Sequence, residues 1–236
     1  MNQALCELFL VSLINLAVML TVIPIAQSDE LKKAYEQYKT LSSKGNYQEA
    51  IKFAHMALDL KEKKVGPNHL EIVNVLNDLG NLYESLGRKA EAERFFKRSR
   101  LLNELTIFVK QLGTDHLLPA RWRSKLAVLY YNQGRYAEAE ALYKHVLETY
   151  KKVLEPNHID LGDILYGLAT LYYSQGRYAE AEPLYKQSLK ISKKVVGPDH
   201  PKVSDALNNL GLLYQDQGRY EDAEPNYKQA LEIYEK

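Results

Sequence analysis

The chain has 236 residues, of which 46 % are apolar and 26 % charged, with a net charge of +1. That balance lacks the basic excess on which phosphate-backbone binding rests, so nucleic acid is excluded as an expected partner. A single cysteine, Cys6, excludes paired-cysteine motifs, and 12 Gly and 8 Pro fit one elongated domain whose breaks fall at turns.

Residues 1–28 form a class of their own. From Leu8 to Ala26 no residue is charged, and Leu, Ile and Val dominate. Such a stretch reads as a signal peptide or a membrane anchor. Ala26-Gln27-Ser28 is small at both ends and places a cut before Asp29, which predicts an exported, periplasmic or secreted protein. Glu7 ahead of the stretch and Lys32 and Lys33 after it support the alternative, a retained anchor at residues 8–26 with a cytoplasmic domain. Cleavage would remove Cys6, leaving a cysteine-free domain that suits an oxidising compartment.

The remainder is periodic. A hexapeptide recurs at Gly45-Asn46-Tyr47-Gln48-Glu49-Ala50, Gly87-Arg88-Lys89-Ala90-Glu91-Ala92, Gly134-Arg135-Tyr136-Ala137-Glu138-Ala139, Gly176-Arg177-Tyr178-Ala179-Glu180-Ala181 and Gly218-Arg219-Tyr220-Glu221-Asp222-Ala223, at intervals of 42, 47, 42 and 42 residues. A period of that length marks one supersecondary unit that buries its apolar face against its neighbours. Four residues before the glycine stands Tyr83, Tyr130, Tyr172 or Tyr214, and three further back the small Gly80, Ala127, Ala169 or Gly211. A small residue in a helix predicts a second helix passing close. After the glycine, Ala92, Ala139, Ala181 and Ala223 lead at i+4 to Phe96, Tyr143, Tyr185 and Tyr227, and then to Ser99, Val146, Ser188 and Ala230, one face of a second helix. The glycine suits the left-handed residue that ends the first helix. Each unit is therefore an antiparallel pair, helix A followed by helix B.

This order of small residue, Tyr, Gly, Ala and aromatic resembles the tetratricopeptide repeat. The 42-residue period, with Gly66-Pro67-Asn68-His69 and Gly197-Pro198-Asp199-His200 between units, is similar to the longer subtype of kinesin light chains. The resemblance implies an all-α, right-handed solenoid of about five helix pairs over residues 29–236, with repeats at roughly 29–66, 67–113, 114–155, 156–197 and 198–236. Repeat 1 departs from the pattern, with Tyr38 at the small position, Leu41 at the tyrosine position and Ala54 at the aromatic one, as terminal repeats often do.

The resemblance further implies that helices A line a concave groove. The groove positions fall on Asn74, Asn77 and Asn81 in repeat 2; Arg121, Ser124, Val128 and Tyr131 in repeat 3; Asp163, Tyr166, Thr170 and Tyr173 in repeat 4; and Asp205, Asn208, Leu212 and Gln215 in repeat 5. Asn can hold a peptide backbone from both sides, and Tyr supplies contact area at low entropy cost. The Lys and Asn set that clamps a C-terminal carboxylate in part of the family has no match here.

Other candidates have structural explanations. His69, His116, His158 and His200 recur once per unit, on the order of 16 to 20 Å apart if helices pack at usual spacings, too far to share a metal ion. They read as first-turn residues of helix A behind capping Asn68, Asp115, Asn157 and Asp199. His55 and His145 read as surface residues of B helices. The pairs Glu138/Glu140 and Glu180/Glu182 read as the solvated side of helix B, and Trp122 as a packing residue. No phosphate loop, nucleophile elbow or zinc motif occurs, so neither enzyme activity, metal nor cofactor is expected.

Two departures from the period remain. Gly87 to His116 is 29 residues where the other units have 24. The extra residues either lengthen the second helix, carrying Leu105, Ile107, Phe108 and Val109 outward as a docking projection, or form a loop that folds back. At the far end, repeat 5 has Asn226 where the others have Phe53, Phe95, Leu142 and Leu184, and Tyr227, Leu231 and Tyr234 could stack on another subunit. The expected function is a non-catalytic adaptor or scaffold that presents its groove to a protein or peptide partner. The alternative is a self-assembling subunit that forms homo-oligomers or filaments end to end.

Overall fold

The computed structural model describes residues 28–235, whose regular structure is entirely helical. Helix α1 covers residues 28–43. It is followed by α2 (Tyr47–Val65), a 3-10 turn at Leu70–Ile72, α3 (Val73–Ser85), α4 (Lys89–Leu112), α5 (Leu117–Asn132), α6 (Tyr136–Val153), α7 (Ile159–Ser174), α8 (Tyr178–Val195), α9 (Pro201–Asp216) and α10 (Tyr220–Tyr234). The apolar stretch 8–26 and the body of the leader lie outside the described residues. No helix among the described residues is long and apolar enough to cross a membrane.

The described residues divide into two compact units between Asn103 and Glu104, inside α4. In the first, α2 packs on α3. In the second, α5 pairs with α6, α7 with α8 and α9 with α10, while α6 meets α7 and α8 meets α9. Burial follows the pattern read from the residues: Leu161, Ile164, Leu165, Leu168, Ala169, Leu171 and Tyr172 give α7 its buried faces, and Ala181, Tyr185, Ser188 and Ile191 give α8 its own.

The small position is set by sterics. A Cβ built on Gly211 would lie 2.7 Å from Cε1 of Tyr227, and one on Gly80 would run into the ring of Phe96. The ring of helix B thus rests on the backbone of helix A. Helix A ends as its glycine requires. Gly134 has φ +72°, its N–H donates to the Tyr131 carbonyl at 3.0 Å, and the N–H of Arg135 donates to that of Tyr130 at 2.9 Å. These two bonds close the last turn, and the conformation is one that side chains resist.

The residue after that glycine then ties the pair together. The Arg177 guanidinium sits 4.0 Å from the centre of the Tyr172 ring and bonds Glu180 three residues on at 2.7 Å. It also reaches Glu140 of the preceding repeat at 2.7 Å. Tyr172 donates to the same Glu140 at 3.1 Å, and Lys144 pairs with it at 2.7 Å. Arg219, Tyr214, Lys186 and Glu182 repeat this arrangement one period later. Glu140 and Glu182 are therefore joints between repeats rather than solvated residues; of the other two, Glu180 is exposed and Glu138 is half-buried against Arg135. Arg177 and the other donors hold the Glu140 carboxyl down to about 2. Burial alone would raise Glu182, but bonds from Lys186, Arg219 and Tyr214 together leave it lowered.

Two further readings are corrected. The helix caps are the histidines themselves: Nδ1 of His69, His116, His158 and His200 accepts from the backbone N–H two residues on, at 3.1 to 3.2 Å. Asn68, Asp115, Asn157 and Asp199 precede the cap. His55 is half-buried rather than a surface residue, with Nε2 3.0 Å from the Tyr83 hydroxyl and its ring 5.6 Å from that of Phe95; burial lowers its pKa.

The five extra residues of repeat 2 are helical. α4 has 24 residues where α6 and α8 have 18. Its added turns are mostly covered: Leu105 is buried, Val109 half-buried, and Phe108 stacks on Trp122 of α5 with ring centres 6.0 Å apart. Ile107 stays exposed. Trp122 is a packing residue, as expected, and Phe108 is what it packs against.

Gly211→Ala should already cost about 1 kcal/mol in urea unfolding, because its Cβ would lie 2.7 Å from the Tyr227 ring and push it aside, and Gly211→Val should cost more, up to about 3 kcal/mol. Equal stability of the Val variant would refute the close approach. For Glu140, a folded-state pKa depressed from 4.5 to about 2 adds stability that is complete above about pH 4.5 and lost as pH falls through about 2. Glu140→Gln should therefore cost ~1–2 kcal/mol at pH 7, and its gap to the wild type should close over that acid range. A gap that persists undiminished near pH 2 would show that the charge contributes nothing.

Candidate partner-binding face

In the second unit, helices α5, α7 and α9 are joined side by side by polar rungs that involve many of the expected groove residues. Arg121 pairs with Asp160 at 2.9 Å and Asp163 with Lys202 at 2.7 Å. The Tyr131 hydroxyl meets Ser174 Oγ at 2.8 Å, and Tyr173 donates to Asp216 at 2.6 Å. Asn209 donates to the Tyr166 hydroxyl. Each rung joins an A helix to the next, and the groups lie at or near the surface. The bond to Asp216 pushes the Tyr173 phenol up to about 12, so it stays a donor at neutral pH.

The other expected residues are placed less uniformly. Thr170 turns inward, donating to the Tyr166 carbonyl at 2.9 Å and accepting from Tyr185 at 3.0 Å, so it serves the helix pair. Gln215 accepts from Tyr227 and Asp205 from Tyr234, both at 2.8 Å. Ser124, Asn208 and Leu212 are half-buried, and Val128 is exposed. The face is thus a mixture of Tyr rings, carboxylates and amides whose positions are fixed by bonds within the protein.

In the first unit, Asn74 and Asn81 are exposed on α3 and Asn77 is half-buried. Beside them Asp78 accepts from the Tyr38 hydroxyl at 2.7 Å and pairs with Lys39 at 2.8 Å. Burial, then the Asp78 bond, raises the Tyr38 phenol strongly. Tyr38 therefore takes the small position of repeat 1 without loss of order, because its hydroxyl has a carboxylate to reach.

The rung partners Asp160, Ser174, Lys202, Asn209 and Asp216 were missed by sequence reasoning, as was Asp78. A signal existed. The rungs join residues 39 or 43 apart, and the two 39-residue rungs carry opposite charges in swapped order, Arg121 to Asp160 and Asp163 to Lys202.

Comparison with known proteins supports the architecture. A tetratricopeptide repeat model matches residues 39–104, 99–152, 119–194 and 160–236. The crystal structure of BtubC (BKLC) from P. vanneervenii is 19 % identical, covers 89 % of this chain and 89 % of its own, and superposes with a TM-score of 0.53. A kinesin light chain-type protein of nearly identical TPR-like repeats from Podosopora anserina is 23 % identical over 86 % of this chain and 94 % of its own, with a TM-score of 0.49. The crystal structure of MamA is 22 % identical over 84 % of this chain and 94 % of its own, with a TM-score of 0.42. No curated protein matches the sequence. With family matches along 39–236 and helix pairs throughout the described residues, the chain belongs to the tetratricopeptide repeat family, with its all-α solenoid fold.

Proposed function

We propose that the protein is a non-catalytic adaptor or scaffold that holds a peptide segment, or a subunit of a larger complex, on the A-helix faces of its repeats. The observation that carries this reading is the rung network of the second unit, which fixes Arg121, Tyr131, Asp163, Tyr166 and Tyr173 before any partner arrives. Groups already ordered lose little further entropy on binding. Asn74, Asn77 and Asn81 offer amide donors and acceptors on the first unit's A helix. The family generally binds protein partners. The apolar stretch 8–26 and Ala26-Gln27-Ser28 support export of the domain, with a retained anchor as the alternative.

Capture of partners from native extract by the full chain should lose its main species with Tyr173→Ala, by about tenfold or more if the tyrosine is an anchor. Asn74→Ala with Asn77→Ala should weaken it further. Unchanged capture by all three substitutions in a chain with wild-type helicity would sink the reading.

A second reading is self-assembly through α10. Leu231 and Tyr234 are 57 % and 60 % exposed, whereas their counterparts Leu147 and Tyr150 are 9 % and 2 % exposed. Light scattering should then show mass rising with concentration and falling with Leu231→Glu. A constant monomer mass would dismiss it.

A further inference from the structure

One wall position of the second unit changes chemistry from repeat to repeat. Tyr150 in α6, Ser192 in α8 and Tyr234 in α10 are related by the 42-residue period. In repeat 3 the Tyr150 ring is 2 % exposed, its phenol raised by burial and then by the nearby Asp160, with its hydroxyl against the Arg121 guanidinium. In repeat 5 the Tyr234 hydroxyl donates to Asp205 at 2.8 Å. Repeat 4 has serine there and no ring.

The consequence is a cavity of about 160 Å³ lined by Asp163, Tyr166, Ser188, Ser192, Lys202 and Asp205. An apolar cavity of roughly 150 Å³ is large enough to hold a benzene ring. Ser192 is 3 % exposed, and its hydroxyl bonds to no other group among the described residues. Ser188 is already committed, donating to the Gly162 carbonyl at 2.8 Å. Asp163 stands one period before Asp205, the carboxylate that accepts the Tyr234 phenol. Lys202 holds both oxygens of Asp163 at 2.7 Å, and each oxygen keeps a lone pair.

We propose that this cavity receives a tyrosine side chain of the bound partner, its ring beside Tyr166 and its hydroxyl donating to Asp163, in the place that Tyr150 and Tyr234 fill from within the chain. The inference rests on the adaptor reading above and names what one point of the partner must carry. Lys202 already pairs with Asp163 and lines the same cavity, so a lysine or arginine of the partner would have to share that carboxylate with a cation already in place. A phenyl ring would cover Asp163 without giving it a new donor, on a surface it had dried. A phosphorylated tyrosine would bring a dianion against Asp163 and Asp205.

The test uses the full chain with N-acetyltyrosinamide as probe, followed by amide NMR shifts. Saturable binding in the millimolar range, with shifts centred on Ser188 and Ser192, is expected for so small a ligand. N-acetylphenylalaninamide should bind at least tenfold more weakly, and N-acetylphosphotyrosinamide and n-butylammonium should not move these signals. Ser192→Tyr should exclude the tyrosine probe while leaving the helical content unchanged. Asp163→Asn, which keeps the shape, should weaken the tyrosine probe without affecting the phenylalanine one. Equal binding of the two amides, unaltered binding to Ser192→Tyr, or absence of saturable binding to the wild type would each overturn the proposal. Partner capture that survives Ser192→Tyr but is lost with Tyr173→Ala would overturn this cavity's role while leaving the adaptor reading in place.

Discussion

The fold depends on the arginine that follows the glycine ending helix A in repeats 2 to 5. In Arg177 one residue closes the turn through its N–H to Tyr172, covers the Tyr172 ring with its guanidinium, pairs with Glu180 in the first turn of the next helix and crosses to Glu140 of the repeat before. Taken singly, exposed ion pairs contribute little. Here one side chain, already half-sheltered against a ring, is shared among several bonds, so its ordering is required only once. Because the same joint recurs at Arg219 with Tyr214 and Glu182, the pairs α7/α8 and α9/α10 are each set on their predecessor in the same register.

That register determines what the A helices can do to one another. With the period at 42, residues 39 and 43 apart lie on facing sides of neighbouring A helices, and those are the separations at which α5, α7 and α9 are bridged. A slip of one residue in any joint would separate Tyr131 from Ser174 and Tyr173 from Asp216. The ordering of the A-helix face is therefore a downstream result of the buried and half-buried contacts on the B-helix side. A binding surface built this way needs no residue whose only task is to support it.

Much of this was legible in the residues because it is either local or periodic. The glycine ends, the small-to-aromatic contact of Gly211 with Tyr227 and the pairing of helices needed only spacings within one repeat. The histidine caps were misassigned because Asn and Asp are commoner caps and stand next to them; an imidazole nitrogen accepting the same N–H was the less familiar choice. Glu140 was misread for a different reason. Its partners in the next repeat are 32 and 37 residues away, and within its own repeat it shows only an ordinary i,i+4 pair with Lys144. Trp122 and the lengthened α4 each looked irregular alone, yet each accounts for the other, since the added turn supplies Phe108 to stack on the indole.

In a repeat protein the residues that recur maintain the stack, so departures from recurrence are where individual chemistry can enter. The departures in the second unit differ in kind. The added turn of α4 brings its own cover, with Leu105 buried and Phe108 against Trp122, and its apolar material is largely consumed within the chain. Ser192 is the opposite case. It removes a ring from a position where the flanking repeats retain one, and no neighbour has grown to occupy the space. The space left opens to solvent past Asp163 and Lys202, whose side chains are 50 % and 42 % exposed. The void also adjoins Asp163 and Tyr166 on the ordered A-helix face rather than the apolar centre of a helix pair. On the reading proposed above, an opening there is where a partner's side chain can enter without displacing the apolar contacts of a helix pair.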